Sequence, residues 1–144
     1  GDSVNLASRL EGQSKTYGMT CLLGEDTAKL ASEFAHLELD LIQVKGKTEA
    51  VKVFGLIGNQ DVYSDPMFIE IKNHHEKMIN LYRDQKWEQA EKELTTVKEL
   101  LRNSKKYLIQ ELNGVYDLYQ ERIDIYKANP PKKDWDGVFI ATSK

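Results

Sequence analysis

The sequence predicts an α+β fold: a mixed α and β region at residues 1–58, a linker at 59–66 and a helical region at 67–144. Three observations predict it. Two runs rich in β-formers, Leu37–Val44 and Ala50–Ile57, flank Lys45-Gly-Lys-Thr-Glu49 and read as a hairpin. Beyond Pro66, apolar residues recur at three- and four-residue steps as far as Tyr126, the period of a helix buried on one side. Between the two, Gly58 to Pro66 is polar and turn-prone, with Gly-Asn-Gln-Asp followed by Ser-Asp-Pro.

Each element has its own signal. Ser3 suits an N-cap, Asp2 suits the positive helix end, and Val4, Leu6, Ala7 and Leu10 share a face. That helix is expected to run to about Tyr17, where Gly18 supplies a left-handed stop. Met19 to Leu23 is a short apolar run and reads as a buried strand; Glu25 to about Glu33 reads as a helix with apolar Ala28, Leu30 and Ala31. In the hairpin, Val51 and Val53 alternate with Lys52, and Gly46 offers the positive φ that a tight turn requires.

The helical region divides into three stripes. Phe68, Ile71, His75, Met78, Ile79 and Tyr82 form the first, and Trp87, Ala90, Leu94, Val97 and Leu101 the second, after a break at Asp84-Gln-Lys86. Leu108, Leu112, Val115, Leu118, Tyr119, Ile123 and Tyr126 form the third, which ends before Asn129-Pro-Pro131 because proline disfavours helix in the residue before it. Short connections predict an antiparallel hairpin with a third helix packed on it. Leu81-Tyr-Arg-Asp-Gln-Lys-Trp-Glu-Gln-Ala90 resembles a tetratricopeptide helix-turn-helix, an aromatic before the turn and an alanine after it. Such repeats need about three neighbours to bury a continuous core, so one copy reads as a local helical hairpin with an interaction surface. The tail Asp134-Trp-Asp-Gly-Val-Phe-Ile-Ala-Thr-Ser-Lys144 carries a short β-like patch able to fold back onto the body.

Composition excludes several classes. With 40% hydrophobic and 30% charged residues, and no apolar run near the roughly 20 residues of a bilayer crossing, a soluble globular piece is expected. A net charge of −3 argues against nucleic acid as a partner, which needs a concentrated basic surface. Cys21 is the single cysteine, so no intramolecular disulfide forms, which suits a reducing compartment. The absence of an initiator methionine, with a helix starting almost at Gly1, suggests a fragment of a longer protein.

The chemistry concentrates in the first third. Asn5 and Arg9 stand at i and i+4, about 6 Å apart on one helix surface and clear of the apolar stripe. An amide there can hold a hydroxyl or ring oxygen, and a guanidinium can grip phosphoryl oxygens in a fork and stabilise charge growing in a transition state. Spacing alone is better served by a solvated face in which Arg9 pairs with Glu11 or Asp2, since helices carry such pairs everywhere. Val44-Lys-Gly-Lys47 adds a basic turn in which glycine permits close approach to a ligand, although a surface turn with two lysines is the ordinary case.

Taken together these residues resemble a family. Gly1-Asp-Ser-Val-Asn-Leu-Ala-Ser-Arg-Leu-Glu11 is similar to a motif of the class III nucleotidyl cyclases, the adenylate and guanylate cyclases. Tyr17-Gly18, Leu22-Leu-Gly-Glu-Asp-Thr27 and Leu41-Ile-Gln-Val-Lys-Gly-Lys-Thr-Glu-Ala-Val-Lys-Val-Phe-Gly-Leu56 follow in the family's order, so the resemblance covers about residues 1–57. It implies the C-terminal half of a ferredoxin-like catalytic domain that converts ATP to cyclic AMP and pyrophosphate. Asn5 matches the residue orienting the ribose, Arg9 the one stabilising the pentacovalent α-phosphate, and Lys45 the one holding the terminal phosphates, with a weaker match for Lys47. These roles suit phosphoryl transfer, which rests on positioning and charge neutralisation.

The resemblance also implies two Mg²⁺ or Mn²⁺ ions whose aspartate ligands precede Gly1, so no metal ligand is assigned within the chain and the fragment alone is expected to be inactive. A homodimeric parent is implied, because family sites form between two chains. The helical tail, including Asn129-Pro-Pro-Lys-Lys-Asp-Trp-Asp-Gly-Val138, resembles extensions of bacterial membrane-anchored adenylate cyclases, which places the region on the cytoplasmic side of an inner membrane. His74-His-Glu76 is no chelating pair, since adjacent helical side chains point about 100° apart; a partly buried His75 beside an exposed His74 is expected. Two other readings stay open: a guanylate cyclase, and a degenerate cyclase-like regulatory module whose helical region binds a protein partner.

Overall fold

The computed structural model describes residues 13–43, 48–103 and 111–140. Residues 13–17 are helical and closed as predicted: Gly18 has φ +69° and the Met19 N–H donates to the Ser14 carbonyl at 3.2 Å, a Schellman stop. Strand β1 (Leu22–Gly24) leads directly into helix α1 (Glu25–Leu30), whose first turn holds Glu25 and Asp26 and whose last holds Lys29, in keeping with the helix dipole. This helix is shorter than its apolar residues suggest. Ala28 is buried, but Leu30 is 89% exposed and Ala31 lies beyond the helix end, because one and a half turns can press only one face on the sheet.

Strands β2 (Ala35–Gln43) and β3 (Val51–Gly58) pair antiparallel, Ile42 opposite Val51 and Leu37 opposite Gly55. Between Glu38 and Asp40 the register slips by one residue at Leu39, a β-bulge. The bulge decides which side chains face inward. Strict alternation after Leu37 and Leu39 would aim Asp40 outward; the extra residue makes Leu39 and Asp40 successive buried positions and restores Ile42 to the core.

Asn59 caps the short helix α2 (Gln60–Tyr63), accepting from the Asp61 and Val62 N–H groups. The segment read as a linker thus holds a helical turn of its own. Asp65 then caps helix α3 (Pro66–Arg83), with Pro66 in the first turn where no donor is lost. Helix α4 (Trp87–Arg102) follows a three-residue turn in which Gln85 takes φ +60° and the Lys86 N–H reaches the Leu81 carbonyl at 2.9 Å. Helix α5 (Leu112–Ala128) stops before Asn129-Pro130. The first stripe is buried throughout; in the second and third, Trp87, Leu118 and Tyr126 are half-buried at the margin.

The tail does fold back. Strand β4 (Phe139–Ile140) pairs parallel with the end of β2, Phe139 opposite Ile42, giving a mixed sheet of order β1-β3-β2-β4. Trp135 enters an aromatic cluster centred on Tyr82, whose ring lies 4.9 Å from Tyr119, 5.4 Å from Trp135 and 5.6 Å from Trp87 between centroids, at the steep angles that suit ring quadrupoles. Leu37, Leu39, Ile42 and Val53 from the sheet share one hydrophobic cluster with Ile71, Met78, Leu94, Val115 and Ile123 from the helices. Among the described residues no helix is long and apolar enough to cross a membrane.

Candidate functional site

The predicted site residues Asn5, Arg9 and Lys45, together with Lys47, lie outside the described residues. What the structure describes is the framework that approaches them in sequence: Tyr17-Gly18 after Arg9, and β2 before Lys45.

The inward turn of Asp40 creates the framework's main polar feature. Asp40 and Arg122 are 1% and 4% exposed, and Arg122 Nη1 lies 2.9 Å from Asp40 Oδ2. The carboxylate is further held by the Tyr17 hydroxyl, which donates to Oδ2 at 2.6 Å, and by the Leu41 N–H, which donates to Oδ1 at 2.9 Å. Tyr119 donates to the Leu39 carbonyl that the bulge displaces from the ladder, with Asp40 Oδ1 at 3.4 Å. The guanidinium carbon lies 3.8 Å from the ring centroid of Phe139, a cation–π contact in a dry setting. Burial alone would lower the Arg122 pKa, but the Asp40 charge and the surrounding tyrosines outweigh it and keep the group protonated. Burial first, and the Asp40 charge second, push the Tyr17 and Tyr119 hydroxyls upward, so both stay neutral donors.

A second buried polar contact joins α3 to β2 at His75. β4 reaches only the last residues of β2, and the open edge before it is covered by α3: His75 Nε2 donates to the Glu38 carbonyl at 2.7 Å. That fixes the tautomer, so Nδ1 accepts from the Tyr116 hydroxyl at 2.8 Å. Burial lowers the His75 pKa to about 4, with Arg83 lowering it further and the Glu38 carbonyl and charge opposing. Sequence reading expected a partly buried His75 and an exposed His74; His75 is fully buried and His74 is half-buried, 2.5 Å from Glu93. The two imidazoles serve different partners.

On the opposite face of the sheet, α3 and the strands border an open groove of about 350 Å³ lined by His36, Glu38, Lys52, Phe54, Lys72 and Arg83 among others. Its charges are largely spent on each other. Glu38 lies 2.6 Å from Arg83 and 3.5 Å from Lys52, which also approaches Glu25 at 3.8 Å. Among the described residues no group of three or more His, Cys, Asp or Glu side chains could hold a metal ion, so the divalent ions implied by the resemblance find no fit there.

Sequence reading missed the Asp40–Arg122 pair. Half of its signal was present: Arg122 stands three residues after Tyr119 and four before Tyr126, on the apolar stripe of α5. The other half was hidden, because alternation in Leu37-Glu-Leu-Asp40 points the aspartate at solvent.

The architecture is that of a mixed α+β unit, a four-stranded sheet carrying a helical hairpin and a third helix. The chain is related to adenylate cyclases. It is 30% identical over 113 residues to the terminal-differentiation specific adenylate cyclase of Dictyostelium discoideum, covering 76% of this chain and 5% of that protein. It is 41% identical over 58 residues to an adenylate cyclase of Anabaena cylindrica, covering 38% of this chain and 12% of that protein. It therefore spans a small part of either relative. No family model matches the chain, and no solved structure matches it. A likeness covering 76% of 144 residues necessarily includes the middle of the chain, so the Dictyostelium similarity crosses from the hairpin into α3 and α4.

Proposed function

We propose that this chain is part of a class III adenylate cyclase, residues 1–58 belonging to the catalytic domain and 67–144 to a helical accessory region fixed to it. The observation that carries the reading is the likeness to an adenylate cyclase that runs through the sheet and onward into the helices, beyond the stretch holding the motif.

In this reading Asn5 orients the ribose of ATP by an amide hydrogen bond, which holds the 3′-hydroxyl in line with the α-phosphorus. Arg9 neutralises the non-bridging oxygens as the new P–O bond forms and pyrophosphate leaves. Lys45 holds the terminal phosphates in substrate and product. Positioning and charge stabilisation are the contributions phosphoryl transfer needs from protein groups. Two divalent cations, which carboxylates outside this chain would hold, are part of the proposal, as are a homodimeric parent and a location on the cytoplasmic face of a bacterial membrane.

The test is cyclic AMP formation from ATP by the intact protein with Mn²⁺. Asn5→Ala should lower turnover by roughly 10²-fold, the scale for a group acting chiefly in the transition state. The 144-residue chain alone should form none. Undiminished turnover in the Asn5→Ala protein would remove the assignment of Asn5, and cyclic AMP made by the isolated chain would overturn the placing of the metal ligands outside it.

A further inference from the structure

We propose that Tyr17, Asp40 and Arg122 are positioning residues, through which helix α5 fixes the Tyr17–Thr20 segment and β2, the described stretches that lead in sequence to the proposed cyclase groups. The inference rests on the cyclase reading above, but its structural half can fail independently.

Two separate observations place α5 as a brace. The first is the buried polar cluster, in which Asp40 of β2 is shared by Arg122 of α5 and the hydroxyl of Tyr17. The second is the contact at the other end of α5, where backbones meet. A Cβ on Gly114 would lie 3.0 Å from the Tyr17 carbonyl oxygen and 3.3 Å from the Gly18 Cα. Thr20 adds a hydrogen bond from its hydroxyl to the Glu111 carboxylate, beside the start of α5. One helix thereby touches the Tyr17–Thr20 segment and the middle of β2.

These contacts end close to the proposed site groups along the chain. Tyr17 is eight residues after Arg9, and Asp40 is five residues before Lys45. A phosphoryl-transfer site loses rate when a charged group is displaced by about 1 Å, so a brace on both segments has a catalytic consequence although no member touches substrate. Arg122 suits the task because its planar fork is always charged and is seated over the Phe139 ring.

Asymmetry between the arms gives the test. Tyr17→Phe removes one donor and leaves the ring in place; it should lower kcat of the intact protein three- to tenfold, with KM for ATP within twofold, because the Tyr17 arm leads to Arg9. Arg122→Met frees both arms; it should lower kcat and also raise KM severalfold, through Lys45. Arg122→Lys should restore part of the loss. Hydrogen exchange on the same proteins reads the brace without reference to activity. In Tyr17→Phe, amides of residues 13–19 should lose protection tenfold or more, and in Arg122→Met those of 35–43 as well, while those around Leu94 in α4 hold theirs.

Loss of protection confined to Tyr17, or spread evenly over all helices, would overturn the brace whether or not the protein makes cyclic AMP. An active wild type whose folded Tyr17→Phe and Arg122→Met forms keep its kcat and KM would overturn the catalytic half. Intact exchange coupling in a wild type that makes no cyclic AMP would instead fault the cyclase reading.

Discussion

Acid should destabilise the chain through His75 at a pH where carboxylates are still ionised. His75 is fully buried between the Glu38 carbonyl and the Tyr116 hydroxyl, with its pKa lowered to about 4. In the unfolded chain the same imidazole titrates near its ordinary value of 6.5. Between those two values the unfolded state binds more protons, so stability is greatest above pH 6.5, falls as the pH is lowered and levels off below about 4. From pH 7 to pH 5 the loss amounts to about 2 kcal/mol, a large share of the roughly 5–15 kcal/mol typical of a domain. Glu91, whose carboxyl is held below its usual range by hydrogen bonds from Lys127 and Gln120, acts only at lower pH. The assay is urea unfolding at pH 7, 6 and 5, comparing wild type with His75→Gln, whose amide can donate to Glu38 and accept from Tyr116 without titrating. The difference between the two proteins should shrink by about 2 kcal/mol as the pH drops from 7 to 5. A difference constant with pH would refute the account of His75 as a neutral buried link.

Three further outcomes follow from the same framework. Arg122→Met should cost about 3–5 kcal/mol in urea unfolding at pH 7, because it strands a buried carboxylate, and adding Asp40→Asn should recover a good part of that; equal losses in single and double variants would contradict the pairing. Gly114→Ala should lower stability by about 1–3 kcal/mol, since its methyl meets the Tyr17 carbonyl at 3.0 Å, and a neutral result by thermal melting would mean the helix end moves aside. In the intact protein, Lys45→Ala should raise KM for ATP more than it lowers kcat, and an unchanged KM would reduce the Lys-Gly-Lys stretch to a surface turn.

The helices were the most legible part of the chain. Phe68, Ile71, His75, Met78, Ile79 and Tyr82 are all buried, because an 18-residue helix repeats its stripe often enough for periodicity to outvote chance. Short elements offered no such average, and Leu30 of the six-residue α1 points into solvent. The turn after α3 was legible as a break, but its left-handed residue is Gln85, where glycine would be the usual choice. Asp40 shows the deeper limit. Its inward aim comes from a bulge, a property of how two strands pair, which no run of residues within one strand displays. The proposed catalytic residues are a different case: Asn5, Arg9 and Lys45 are proposed from a motif and lie outside the described residues, so kinetics must judge them.

The proposal that this chain carries the transition-state groups of an adenylate cyclase stands or falls on Arg9. Turnover of ATP by the intact protein, wild type against Arg9→Ala, tests it most directly. In the proposed role the guanidinium acts on charge that develops during transfer, so kcat should fall by about 10²-fold or more with KM changed far less. Comparable kcat in the two proteins would contradict it.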